Sequence, residues 1–240
     1  EAPLEAEAVA VGIGAEADYQ RLGESVAGRI VVTDLSFDLP HSEPARIAAT
    51  RGAAGLVVVN WSERDGQRTH TSTAKSIWGN PTPDDLATLC PIPVVAVCRA
   101  DGERLKAALD AGRQGLRIKA QASREWVRAR QPIGLIRGAS DRFVLFHCHL
   151  DAFGAGATDN GTGVAGLLEL ARLLASRRER LEVSVLLAFW ACHEMPYDGS
   201  TAFLDERWTD VRDACLATFN ADSWALGGSR GRPVVLGGAE

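Results

Sequence analysis

Between Phe146 and Leu174 the chain reads FHCHLDAFGAGATDNGTGVAGLLELARLL, which sets His147, His149, Asp151 and Asp159 around a glycine-rich turn. Imidazoles and carboxylates together suit a borderline divalent cation, and zinc accepts that mixture where magnesium takes oxygen alone. A polar loop between a strand and a helix would use the same residues, so this stretch alone leaves both readings open. Side chains of the same kind recur downstream: His193 and Glu194 in WACHEMPYDGS, and Asp222 in FNAD. Whether they can meet depends on the elements that carry them.

Those elements have a regular rhythm. RFVLFHCHL (142–150), LEVSVLLAFW (181–190) and ACLATFNAD (214–222) are apolar runs of strand length. Between them VAGLLELARLLAS places Val164, Leu167, Leu168, Ala171 and Leu174 at helical spacing, and GSTAFLDERW (199–208) reads as a short helix. Strands alternating with helices, the strands continuously apolar, predict a parallel sheet covered on both faces. In such a sheet the carboxyl ends line one edge, where the crossover loops form a crevice. His149, the pair His193–Glu194, and Asp222 each follow one strand, and Asp159 lies in the loop after the first. Side chains far apart in sequence are thus expected in one place. Asp151 could orient the His149 ring through its other nitrogen. His147 shares the strand face of His149 but sits deeper, and reads as structural.

The first half differs. GRIVVTDL (28–35), AGLVVVN (54–60) and IPVVAV (92–97) read as buried strands. The segment 44–55 reads as a helix opened by proline and closed by glycine. The segment 101–112 is a second, with Asp101 as N-cap and Gly112 past its end. The polar stretch from Trp61 to Cys90 reads as a surface loop, with His41 and His70 at the surface.

Composition sets the outer bounds. Apolar residues are 46% and charged residues 24%, ordinary for a globular chain. The net charge of −5 argues against nucleic acid as a partner, and the basic stretch ASRRERLE is too short to override it. No apolar run approaches the roughly 18 residues of a membrane span, and no basic-then-apolar leader opens the chain. Five cysteines without CxxC spacing define neither a disulfide framework nor a zinc knuckle; Cys90 and Cys98 could pair or remain thiols.

HLDAFGAGATDNGTGVAGLLELARLL, HEMPYDGSTAFL and FNAD together resemble, in order and spacing, the di-zinc aminopeptidases. That family includes secreted bacterial aminopeptidases, glutamate carboxypeptidases and the catalytically silent transferrin receptor. VAGRIVVTDL, ARIAATRGAAGLVVVN and PIPVVAVCRADGERLKAALDAG resemble a protease-associated (PA) domain. The resemblance implies an α/β chain: a β-rich PA domain over 1–122, then over 123–240 the front part of a catalytic domain with a parallel-type sheet. It implies two zinc ions, with His149 and Asp222 on one, Glu194 on the other, Asp159 bridging, and Asp151 in support. It also implies a peptide substrate, a metal-activated water, and a secreted or extracytoplasmic setting.

Two departures bear on activity. His193 stands where the family carries its general-base glutamate. Imidazole, with a reference pKa of about 6.5, could accept a proton there, bind metal or stay inert, and a shifted loop would make Glu194 the base. The family also supplies a final histidine ligand well downstream, and no histidine follows His193. The chain is therefore expected to be a zinc exopeptidase, with an impaired peptidase-fold scaffold as the alternative.

Overall fold

The computed structural model describes residues 3–61, 69, 75–77, 79–89, 91–123, 125–195 and 198–224. The chain divides into two compact units, Glu1–Trp126 and Val127–Glu240.

The first unit runs β1 (Leu4–Ala10), α1 (Glu16–Leu22), β2 (Ile30–Asp34), α2 (Glu43–Thr50), β3 (Gly55–Val59), β4 (Val94–Val97), α3 (Arg99–Asp110) and β5 (Gly115–Ile118). Its sheet has the order β4-β3-β2-β1-β5. The first four strands are parallel, and β5 closes the edge antiparallel to β1. Every residue of β3 is buried, because alternate side chains serve opposite faces that are both covered. Val31, Leu56 and Val58 pack with Ala45 and Ile47 of α2; Ile30, Val32, Val57 and Val59 pack with Leu105 and Leu109 of α3. Gly102 lets α3 approach closely, since a Cβ there would lie 2.1 Å from Val59 Cγ1.

Three details depart from expectation. β1 was not foreseen: LEAEAVA is rich in helix formers, and pairing on both sides with β2 and β5 overrides that local preference. Helix α3 starts earlier than Asp101, with Cys98 at its N-cap. The Cys98 thiol is free and hydrogen-bonds to Asp101, which also pairs with Arg104. That leaves Asp101 in the first turn, where the helix dipole favours an anion. Cys90 and His70, with much of the 61–90 segment, lie outside the described residues. A 3-10 turn at Pro83–Ala87 is the regular piece seen there. His41 is half-buried rather than at the surface, its ring 5.9 Å from that of Phe37.

The second unit runs β6 (Ile133–Ile136), β7 (Phe143–His149), α4 (Gly163–Ala175), β8 (Ser184–Trp190), α5 (Asp198–Ala214) and β9 (Cys215–Asn220). The sheet order is β6-β8-β7-β9. β7 is parallel to both neighbours, and β6 pairs antiparallel with β8, so the sheet is mixed at that edge. α4 covers one face through Leu167, against Cys148, Val185, Leu187 and Phe189. α5 covers the other through Phe203, against Phe143, Leu145, Ala188 and Trp190. Leu168, expected on the inner face of α4, is 58% exposed; Leu170 takes the packed position instead. α5 extends beyond Trp208 with a break at Arg207, because Val211 and Ala214 continue the contact with the Phe143 cluster. In the register His149 lies opposite Trp190, and His147 opposite Asn220. The carboxyl ends of β7, β8 and β9 therefore stand side by side.

Leu167 is fully buried beneath the helix that follows the Asp159 loop. Leu167→Ala is expected to cost about 2–5 kcal/mol, read as a lowered urea midpoint without loss of secondary structure.

Candidate metal centre

His149 ends β7 and is 2% exposed. Its Nδ1 lies 2.8 Å from the backbone carbonyl of Asp151, to which the N–H donates. In the neutral ring that bond keeps the proton on Nδ1, so that Nε2, once deprotonated, can offer its lone pair to the crevice. Nε2 is 2.9 Å from Asp159 Oδ1 and 3.7 Å from Asp222 Oδ2. It nevertheless makes no aligned hydrogen bond, although it is buried.

Three clamps bring the other side chains to this nitrogen. The first is Asn160, 2% exposed. Its Nδ2 donates to the Ala221 carbonyl at 2.9 Å, and its Oδ1 accepts from the amides of Gly163 at 3.1 Å and Ser223 at 3.3 Å. The loop bearing Asp159 is thereby fastened to the loop bearing Asp222. Gly163 permits the approach, since a Cβ there would lie 2.2 Å from the Ala221 oxygen.

The second clamp is the Asp151 carboxylate, which accepts from the backbone amides of His193 at 3.1 Å and Glu194 at 2.9 Å. This differs from its expected task of orienting the His149 ring, which its own carbonyl performs. The carboxylate lies 3.7 Å from Nδ1, while both of its oxygens are engaged by the loop amides. Gln131 is the third clamp, accepting from the Ala191 amide at 3.1 Å and donating to the Gly199 carbonyl at 3.0 Å. Between the last two, Cys192 takes a left-handed φ of 57°, the turn that swings His193 and Glu194 off the end of β8.

Two donor groups result. One atom each from His149, Asp159 and Glu194 lie within 4.8 Å of one another, and so do atoms from His149, His193 and Asp222. The His193 ring stacks on that of His149, centroids 4.2 Å apart and planes 17° from parallel. His147 stays inside the sheet against Trp190, and burial lowers its pKa to about 4.

The charges are coupled. Burial opposes a charge on His149, but the Asp222 carboxylate, the Asp151 carbonyl and Asp159 outweigh it and raise the ring to about 9. Asp222 is held low chiefly by that imidazole. Glu194 is pushed up to about 7, first by burial and then by Asp159. Burial, and then the charge on His149, lowers His193. The donor set fits zinc: imidazole nitrogen and carboxylate oxygen converge on a buried Nε2 that has no aligned partner.

Asn160 and Gln131 went unassigned in the sequence. Asn160 carried a signal, standing between Asp159 and a helix start, where it reads as a cap. Gln131 carried none.

These donors line the carboxyl edge of a largely parallel α/β sheet. Residues 133–233 match Peptidase family M28 and residues 2–105 match the PA domain. The two matches fall one in each compact unit, and neither covers half of the chain. It is 29% identical over 212 residues to the probable lipoprotein aminopeptidase LpqL of Mycobacterium tuberculosis, covering 87% of this chain and 38% of that protein. The Peptidase M28 precursor of Shewanella amazonensis shares the fold with a TM-score of 0.65 at 20% identity, over 91% of this chain and 51% of that one. BSAP, a zinc aminopeptidase from Bacillus subtilis, shares it with a TM-score of 0.53 at 22% identity, over 92% and 49%. The chain therefore spans well under two thirds of each. No helix among the described residues is long and apolar enough to cross a membrane.

Asn160→Ala would strand the Ala221 carbonyl and two amides, with an expected loss of about 2–4 kcal/mol, measured by denaturant unfolding of the metal-free protein. Metal uptake should also depend on pH. His149 and Glu194, raised to about 9 and about 7, must each shed a proton to bind an ion. Zinc affinity is therefore expected to rise with pH by about tenfold per unit between pH 6 and 8, as read by competition with a chromophoric chelator.

Proposed function

We propose that the protein is a zinc-dependent exopeptidase, specifically an aminopeptidase that removes residues from the amino end of peptides. The observation that carries this reading is the convergence of His149, Asp159, Glu194 and Asp222 on one buried, unaligned imidazole nitrogen at the edge of an M28-type sheet. His149 and Asp222 would hold one zinc and Glu194 a second, with Asp159 placed to serve both. Bound zinc supplies Lewis acidity, polarising a peptide carbonyl and making water a stronger acid. The chain's own contribution is to fix the donors. Asp151 holds the His193–Glu194 turn, Asn160 joins the two aspartate loops, and the Asp151 carbonyl sets the His149 ring. The relatives LpqL and BSAP, both named as aminopeptidases, support the choice of aminopeptidase. The domain division is proposed as a PA domain over 1–122 and a peptidase region over 123–240. Nothing observed favours an inert scaffold.

The natural full-length protein is expected to release free amino acids from aminoacyl amides, to lose that activity to a chelator, and to regain it with zinc. Hydrolysis indifferent to the chelator, or no release at all, would reject the proposal.

A further inference from the structure

His149 brings one lone pair to the crevice, because its other nitrogen is committed to the Asp151 carbonyl. The two donor groups both include His149. They therefore compete for a single nitrogen, and His149 can serve one ion at a time. The group with His193 and Asp222 offers two imidazoles and a carboxylate; the group with Asp159 and Glu194 offers one imidazole and two carboxylates. Zinc, a borderline-soft ion, commonly takes three protein ligands with two nitrogens among them and an open fourth position. The geometry points to His149, His193 and Asp222 as the tight zinc site of this chain, with His193 a metal ligand rather than the acceptor of the water's proton.

Three observations support it independently of the overall resemblance. A ring nitrogen of His193 lies within 4.8 Å of a ring nitrogen of His149 and of a carboxylate oxygen of Asp222, and the two rings are in contact, 4.2 Å between centroids. The backbone of His193 is fixed by the Asp151 carboxylate, and the turn before it is set by the left-handed Cys192, so the ring is carried on a determined support. Asp222, 3.7 Å from Nε2, sits between Ala221 and Ser223, whose backbone groups the Asn160 clamp holds. What then remains for a second ion, among the described residues, is the carboxylate pair Asp159 and Glu194. The described residues thus offer the two ions unequal donors: nitrogen and oxygen at one position, oxygen at the other. This refines the zinc peptidase reading and rests on it.

The test is zinc and cobalt binding by the whole chain, for wild type, His193→Ala and His193→Gln, with folding checked by circular dichroism. The wild type is expected to take up one zinc tightly and a second far more weakly, in two resolved steps of a chelator competition. X-ray absorption of the singly loaded protein should show two imidazoles on the ion. Both variants are expected to lose at least about 100-fold in the tight step, since removing a ligand costs no less than removing its outer partner. Cobalt should report the same change as an altered visible spectrum. Tight binding unchanged in the variants, or one imidazole in the wild-type spectrum, overturns the assignment of His193 while leaving a zinc site in place. No zinc uptake by the wild type overturns both this assignment and the zinc peptidase reading. Should neither variant fold, the imidazole count on the wild type decides.

Discussion

The site depends on one buried amide. Asn160 spans the gap between two loops that lie about sixty residues apart in the chain, and all three of its hydrogen bonds go to backbone groups. A buried amide left unpaired is costly, so these bonds carry the full penalty of being broken. Because its partners are backbone atoms, the clamp fixes loop paths rather than side-chain positions. Asp159 and Asp222 are then carried passively to His149. The Asp151 carboxylate does the same for the turn after β8. Side chains able to hold an ion are thus set by others that never touch it.

The imidazole pair raises its own electrostatic constraint. Two stacked, half-enclosed rings cannot both bear a proton cheaply: the like charges sit close together, and burial disfavours each. The surrounding carboxylates settle the contest in favour of His149, while burial, and then the charge on His149, lowers His193. A glutamate at 193 would instead have added a further negative charge beside Glu194, whose pKa burial, and then Asp159, already raises.

Much of this was legible in the sequence, for identifiable reasons. The strands β2, β3, β4, β7, β8 and β9 announce themselves as dense β-branched or apolar runs because both faces of each sheet are covered. Placing His149, His193, Glu194 and Asp222 at one edge required only strand ends and parallel topology. β1 was hidden because its stability comes from two neighbours rather than from its own residues. The inward stripe of α4 takes in Leu170 rather than Leu168, since helical spacing defines a stripe but not its exact edges. The tasks of Asp151, Asn160 and Gln131 were the least visible. Bonds from a side chain to distant backbone leave no period and no local composition to read.

Among the described residues β9 is an edge strand whose second half is exposed, Phe219 at 37%. Strands of that kind open more readily than central ones, in partial excursions that leave the rest of a domain intact. If β9 lifts, Asp222 departs and Asn160 loses Ala221 and Ser223 in the same event. Ion occupancy and the docking of one peripheral strand are therefore the same equilibrium seen from two ends. A captured ion would slow amide exchange along β9, a region that no ligand touches apart from the residue just past its end.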